Sequence, residues 1–413
     1  MNIANTSLVS REPVQTNKKR RARRVLIIVE NLPVPFDRRV WSEATTLHAA
    51  GYEVSIICPK GRDAQESYIE IDGIRVWRHP MPLEAQGAKG YVIEYSAALF
   101  WEFYLSFKVL FTRGFDVIHA CNPPDLIFIV GAFFKYVFRK KFLFDHHDIN
   151  PELYEAKFNR RDSFWRLMIW LERMTFAVAD VSIATNQSYR DIAIDRGKMS
   201  PFRVHIVRSG PRMERIKIVP PEPRWKNGRT FLVGYVGVIG RQEGLDLLME
   251  SVKSIMDRGR SDVQFVVIGD GPALTEVREL ARSLKVDSFV TFAGRVDDAT
   301  LFSALSTADV CVNPDRPNVM NDKSTMNKIL EYMALGKAIV QYDLKEGRYS
   351  AEEASLYAKN IDPVDFADKI IGLLDDPKAR ARMGEYGRRR VLEEFAWPHE
   401  APKLLQAYDQ VFE

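Results

Sequence analysis

Short apolar runs, rich in β-branched residues, alternate with helix-length amphipathic segments along the whole chain. In the first half, Val25–Val29, Glu53–Cys58, Ile74–Trp77, Asp116–Ala120, Lys141–Asp145, Asp180–Ala184 and Val204–Val207 predict strands. In the second half, Leu232–Val236, Val263–Ile268, Phe289–Ala293, Asp309–Asn313 and Ala338–Tyr342 do the same. Most of these runs lack a polar alternation, which marks strands covered on both faces, and helices between such strands imply parallel pairing. Because the pattern occurs twice, it predicts two α/β domains, each built on a Rossmann-like parallel sheet.

The predicted break between them is the segment 211–229, where Pro220, Pro221 and Pro223 sit among charges and Trp225 to Gly228 is mostly polar. The predicted organisation is therefore a basic tail at 1–24, a first domain at 25–210, a second at 230–395 and a last helix at 396–413. Phe395-Ala396-Trp397-Pro398 separates that helix from the one before, and the helix is expected to pack back on the first domain. Ligands of such sheets bind beyond the carboxyl ends of the strands, so the site is expected in the cleft between the two domains.

Charge narrows the function. The chain of 413 residues carries a formal +4, yet Arg11, Lys18, Lys19, Arg20, Arg21, Arg23 and Arg24 against Glu12 give the tail +6, leaving the remainder at −2. A nearly neutral body lacks the basic face that nucleic-acid binding requires, so no nucleic-acid partner is expected. The tail reads either as a solvated leader or as a contact for anionic lipid. Cys58, Cys121 and Cys311 are far apart and predict neither a disulfide framework nor a zinc site, as in a reducing compartment. Val25–Val29 is too short for a signal peptide, and Tyr91 to Phe111 is interrupted by Glu94, Glu102 and Lys108, so no spanning helix is predicted and a cytoplasmic location is expected.

The segment Asn321-Asp-Lys323-Ser324-Thr325-Met326-Asn-Lys328-Ile-Leu-Glu331-Tyr-Met-Ala-Leu-Gly336 carries the most chemistry. Ser324 is a candidate N-cap, Gly336 a C′ residue, and Met326, Ile329, Leu330 and Met333 a buried stripe. Lys328 and Glu331 could form a helix-surface ion pair. Alternatively Lys323, Ser324, Thr325 and Lys328 surround a helix N-terminus suited to an anion, with Glu331 deeper, placed to accept hydrogen bonds from a ribose. In Phe144-Asp-His146-His147-Asp148, the two adjacent histidines point to opposite faces of a strand, so no metal site is expected there.

Lys328-Ile-Leu-Glu331-Tyr-Met-Ala-Leu-Gly336-Lys-Ala-Ile-Val340 resembles the donor-binding helix of glycosyltransferase family 4, retaining nucleotide-sugar enzymes. The resemblance covers nearly the whole chain after the tail and implies the GT-B fold, two Rossmann-like domains facing across a cleft. It places Glu331 on the second glutamate of the family's E-x7-E motif, the one that holds the donor ribose. The first glutamate, which contacts the transferred sugar, falls on Lys323, giving K-x7-E. In Gly234-Tyr-Val-Gly237-Val-Ile-Gly240-Arg241-Gln-Glu243, the family's arginine and lysine that neutralise the diphosphate align with Val238 and Glu243. Arg241, Lys323 and Lys328 are then the candidate replacements, with the amides of the Gly237-x-x-Gly240 turn assisting.

The resemblance also implies that Arg295 and Val296 lie near the nucleobase and that His147-Asp148 lines the cleft near the reacting sugar; His119 is a weaker candidate of the same kind. Asp37-Arg38-Arg39 stands where the family has a Gly-Gly loop. Its arginines read either as phosphate ligands or as solvated residues behind a helix cap at Asp37. The aromatic stripe Phe100, Phe103, Tyr104, Phe107, Leu110 and Phe111 reads either as core or as a membrane-facing surface near Lys135, Arg139, Lys140 and Lys141.

The implied function is sugar transfer from a nucleoside diphosphate donor, UDP-linked first, to a lipid-linked saccharide of a bacterial surface polysaccharide. Such an enzyme needs no cofactor or metal and would work at the inner face of the cytoplasmic membrane. A GT-B nucleotide-sugar epimerase and a non-catalytic scaffold are the alternative readings.

Overall fold

Strand β1, Arg24–Ile28, shows why the first sheet is buried on both faces: Val25 and Ile27 enter one hydrophobic cluster and Leu26 and Ile28 another. The computed structural model describes residues 21–61, 63–80, 87–359 and 361–413, with side chains of the helix beginning at Gly87 described from Ser96 onward. The rest of the first sheet consists of β2 (Glu53–Pro59), β3 (Tyr68–Ile71), β4 (Ile74–His79), β5 (Val117–Cys121), β6 (Lys141–His146), β7 (Val181–Ala184) and β8 (Val204–Ile206). Their order is β3-β4-β2-β1-β5-β6-β7-β8, parallel throughout except for the antiparallel β3–β4 pair.

The second sheet contains β9 (Phe231–Val236), β10 (Val263–Ile268), β11 (Val290–Gly294), β12 (Val310–Asn313), β13 (Ile339–Tyr342) and β14 (Ser355–Ala358). Its order, β11-β10-β9-β12-β13-β14, is all parallel and is the doubly wound arrangement in which the direction of winding reverses between the first and fourth strands. The reversal points are β1/β5 in one domain and β9/β12 in the other. The loops leaving β1 and β9 reach the same cavity from opposite sides.

Two strands, β3 and β14, carry no signal in the apolar pattern. Both are short edge strands of four residues; β3 alternates exposed and half-buried positions, and β14 has a half-buried middle. The cap at Ser324 is also corrected. Ser324 closes a short helix, Val319–Lys323, that Asn318 caps, and the next helix, Asn327–Ala334, begins after Met326 with no side-chain cap. Gly336 does follow the helix with a left-handed φ of 69°. Residues 1–20 of the basic tail lie outside the described residues.

The chain crosses between domains twice, side by side. Gly210 and Pro211 meet Phe395 to Trp397: the Trp397 amide donates to Pro211 O at 3.1 Å, and a Cβ on Gly210 would lie 2.2 Å from Phe395 O. Beyond the first crossing, Trp225 is anchored on the second domain by its Nε1–H to Ser303 Oγ at 2.8 Å. After the second crossing, the helix Trp397–Val411 completes one face of the first-domain core with Trp397, Leu404, Ala407, Tyr408 and Val411.

That helix reaches the polar interior of the first domain through Tyr408, whose hydroxyl is 2.8 Å from His119 Nδ1, both groups fully buried. Removing the hydroxyl leaves a buried ring nitrogen unpaired, which costs about 1–3 kcal/mol. Tyr408→Phe is therefore expected to lower the thermal midpoint by several degrees in calorimetry; an unchanged midpoint would mean that the contact contributes nothing.

Candidate active site in the interdomain cleft

A cavity of about 1010 Å³ opens between the domains. The loop after β1 and the helix Arg38–Ala49 contribute Phe36, Arg38, Arg39 and Trp41, and the first crossing contributes Arg212 and Arg215. Opposite them stand Gly237 and Val238 after β9, Arg295, Val296, Asp297 and Asp298 after β11, and Lys328 and Glu331 from the helix Asn327–Ala334.

Glu331 is the focus. Its Oε1 accepts from Arg38 Nη1 at 2.6 Å and from Arg215 Nη1 at 3.1 Å. Asp298, in the first turn of a helix capped by Asp297, accepts from Arg215 at 2.6 and 2.8 Å and from Arg38 at 3.1 Å. Two guanidiniums, one on the first domain and one on the crossing, thus bridge two carboxylates of the second. Arg215 also stacks over Phe302 at 5.2 Å. The hydrogen bonds and charge of Arg215 hold the Asp298 carboxyl below its usual range against partial burial. Across the cleft Arg295 lies over the Phe36 ring at 4.1 Å.

Lys328 and Glu331 do not pair. Lys328 Nζ donates to buried Asp315 at 2.8 Å, so its charge is neutralised beneath the cavity wall. Burial raises the Asp315 carboxyl, and Lys328 opposes that rise.

Four expected donor contacts sit elsewhere. Lys323 Nζ is 3.3 Å from Glu152 Oε1, in a network in which Arg196 also holds Glu152 and Glu172. Thr325 accepts from Asn186 at 3.0 Å and Arg208 at 3.3 Å, and Ser324 Oγ meets Tyr189 OH at 3.2 Å. Lys323, Ser324 and Thr325 are thus parts of a domain-to-domain contact, because the short helix Val319–Lys323 packs on the helix Asn150–Phe158. Arg241 points away from the main cavity into an exposed pair with Glu276 at 2.8 Å, and with Gly240 it lines a neighbouring groove of about 750 Å³.

The expected turn amides are largely spent as well. Gly237 N donates to Ile268 O and Ile239 N to Asp270 O, both at 3.0 Å. Those bonds depend on close backbone approach: a Cβ on Gly269 would stand 1.8 Å from Gly237 O. Glu243, where the resemblance leads one to expect a lysine, accepts from the Gly240 amide, and burial raises its carboxyl.

The floor on the first-domain side is a buried ionic cluster. Asp37 caps the helix Arg38–Ala49, accepting from Val40 N at 3.0 Å. One residue after Arg38, Arg39 also lines the cavity, but its guanidinium turns inward. It forks onto Asp145 at 2.7 and 2.9 Å, sits 3.2 Å from Glu43, and donates to Val207 O at 2.7 Å. Of the two readings of Arg39, phosphate ligand or solvated residue, the second does not hold, and in this structure its donors are taken up by Asp145 and Val207 O.

Asp145 Oδ2 also meets His147 Nε2, which lies 3.0 Å from Arg39 Nε, and His119 Nε2 faces Asp145 at 3.5 Å. Burial pushes the Asp145 carboxyl up, but Arg39, His147 and His119 outweigh it and hold the group well below the carboxylate range. Burial and the charge of Asp145 push Glu43 well above it. Burial lowers His119.

Asn122 fixes the His147–Asp148 turn by accepting from both amides, at 2.8 and 3.2 Å, and donating to Asp148 O. Asp148 itself meets Asn31 Nδ2 at 3.5 Å, and burial raises its carboxyl. His119, Cys121 and Asp145, and Glu43, Asp145 and His147, each bring potential metal ligands together. Both sets share Asp145, whose oxygens already hold the Arg39 guanidinium.

A family model described as Glycosyltransferase Family 4 matches residues 37–215, and one described as Glycosyl transferases group 1 matches residues 230–376. The chain belongs to glycosyltransferase family 4. Among curated relatives, the alpha-maltose-1-phosphate synthase of Mycolicibacterium smegmatis is 26% identical over 294 residues, 64% of this chain and 72% of that protein. The phosphatidyl-myo-inositol mannosyltransferase of the same organism is 30% identical over 194 residues, 45% of this chain and 46% of that one. Among solved structures, Anabaena HepE in complex with UDP and glucose superposes with a TM-score of 0.70 at 14% identity, over 94% of this chain and 99% of that one. This glycosyltransferase therefore has the GT-B fold, with its family helix, Asn327–Ala334, on the wall of the interdomain cavity.

Sequence reasoning missed Asp145, Glu43, Asn122, Asp298, Arg212 and Arg215. Only the last pair left a trace, as two cations in the segment joining the domains. For the buried cluster, removing one charge strands the other: Asp145→Asn is expected to cost about 3–5 kcal/mol in urea unfolding. A loss under about 1 kcal/mol would show that the cluster does not hold the floor together.

Proposed function

We propose that this glycosyltransferase moves a sugar, with retention of anomeric configuration, from a nucleoside diphosphate donor to a lipid-linked saccharide acceptor. The observation that carries the reading is Glu331 on the cavity wall, at the position of the family's ribose-binding glutamate, facing cleft residues of the first domain. UDP is the nucleotide put first, which the UDP and glucose bound by HepE support.

In this reading the bond between the anomeric carbon and the donor phosphate breaks, and an acceptor oxygen bonds to that carbon on the same face. The acceptor proton goes to the departing phosphate, so no protein nucleophile is required. The protein's work is to position the two substrates and stabilise the negative charge that develops on the leaving diphosphate. His147, oriented by Asp145 and by Asn122, serves the sugar side of the cleft.

A lipid-linked acceptor is supported by one face of the first domain. Phe100, Tyr104 and Phe111, Tyr136 and Val137, and Phe164, Leu167 and Trp170 are exposed on three helices, with Arg139, Arg166 and Arg173 among them. Phe103, Phe107 and Leu110 of the same stripe pack inward. Exposed aromatic rings flanked by arginine suit the interface of a membrane whose surface is anionic. Among the described residues no helix is long and apolar enough to cross a membrane. The phosphatidyl-myo-inositol mannosyltransferase, named for a lipid acceptor, supports the same class. We place the reaction in surface-polysaccharide assembly on a polyprenyl diphosphate carrier at the cytoplasmic face.

The test is incubation of the purified protein with labelled UDP-sugars, with and without bacterial membrane extract. Label is expected in the lipid fraction only when membrane is present. Epimerised sugar without acceptor, or UDP binding without turnover of any donor, would replace this reading with an epimerase or a scaffold. Glu331→Ala is expected to remove UDP binding in titration calorimetry, and wild-type affinity in that variant would sink the donor assignment.

A further inference from the structure

Transfer from a nucleoside diphosphate requires cations at the leaving group, and the expected ones have other commitments. Val238 and Glu243 bring no positive charge to the loop after β9, Lys328 is neutralised by Asp315, Lys323 is held by Glu152, and Arg241 pairs with Glu276 outside the main cavity. Arg39 is locked into the buried cluster. The cavity still presents other guanidiniums, and two come from one turn of the first crossing: the Arg215 amide donates to Arg212 O at 3.0 Å.

Their states differ in an informative way. Arg212 is half-buried, and its one side-chain hydrogen bond goes to Thr45 Oγ1 at 2.6 Å; among the described residues no carboxylate neutralises it. Arg215 is braced on Phe302 and held by two bonds to Asp298, so it can release Glu331 and keep its position. Arg38 approaches the same carboxylates from the other domain, with a side chain 47% exposed.

We infer that Arg212 and Arg215, assisted by Arg38, form the clamp for the donor diphosphate in place of the two loop cations. The inference rests on the donor reading above. When a ribose takes Glu331, the Nη1 groups of Arg215 and Arg38 lose their acceptor, and a diphosphate beside them supplies new ones. The uncompensated charge of Arg212 adds the attraction that brings the anion in. Guanidinium forks match phosphate oxygens, so this arrangement replaces one lysine and one arginine with donors of equal or greater reach. Because Arg212 and Arg215 sit on the segment that joins the domains, holding the diphosphate also fixes the crossing.

The test is calorimetric titration of the full chain with UDP and with uridine, comparing wild type with Arg212→Gln, Arg215→Gln and Arg241→Gln. Each of the first two changes is expected to weaken UDP about ten- to hundredfold and to leave uridine within about twofold; Arg215→Lys should recover part of the loss. Wild-type UDP affinity in Arg212→Gln and Arg215→Gln, an equal loss for uridine, or a loss confined to Arg241→Gln would overturn the clamp. Should Arg215→Gln fail to fold, Arg212→Gln decides alone. A wild type that binds neither UDP nor ADP nor GDP would bring down the donor reading, and the clamp with it.

Discussion

Glu331 and Asp298 gather two arginines that would otherwise repel each other across the cleft. Four charges within hydrogen-bonding distance form a closed set, in which Arg215 and Glu331 are the less exposed pair and Arg38 and Asp298, each nearly half exposed, make a surface ion pair of about 0.2–1 kcal/mol. The set ties the first domain, through Arg38, to the second, and ties the crossing to the second through Arg215. The contacts that keep the cleft together are thus made by the groups a donor would use.

Such a meeting point follows from the two sheets. Each reverses its winding between two central strands, and each opens its carboxyl-end loops toward the other. Below the first-domain loops, Arg39, Asp145, Glu43, His119 and His147 form a buried ionic floor, with Tyr408 bringing the last helix into it. Burying so many charges costs desolvation that only full pairing offsets, and Arg39 provides most of that pairing. On the far side of the junction, Lys323, Thr325, Asn186 and Arg208 make a second set of contacts. Lys323, held by Glu152, adds to these contacts that fasten the domains to each other.

Much of this architecture could be read from the chain. Twelve apolar runs found strands to within a residue or two, because strands buried on both faces need continuous apolar sequence. The strands β3 and β14 were invisible because edges are short and half-exposed. Glu331 was legible because its helix carries a family pattern. Its partners were not: Arg38 lies 293 residues away in sequence, and nothing local to either residue records the pairing. Asp145 looked like the end of a strand, since its charge is meaningful only with Arg39 and His147 folded onto it. Charge that is paired across a domain boundary leaves no periodicity, so the contact of Lys323 with Glu152 could not be read from its own segment.

The account stands on where a nucleotide enters this cleft and what it displaces. The most direct measurement is the electron density of UDP in a crystal of the full chain. The ribose hydroxyls should lie within hydrogen-bonding distance of the Glu331 carboxylate, with Arg38 and Arg215 turned from Glu331 toward the diphosphate. Density for UDP elsewhere, with Glu331 still holding both arginines, would contradict the account.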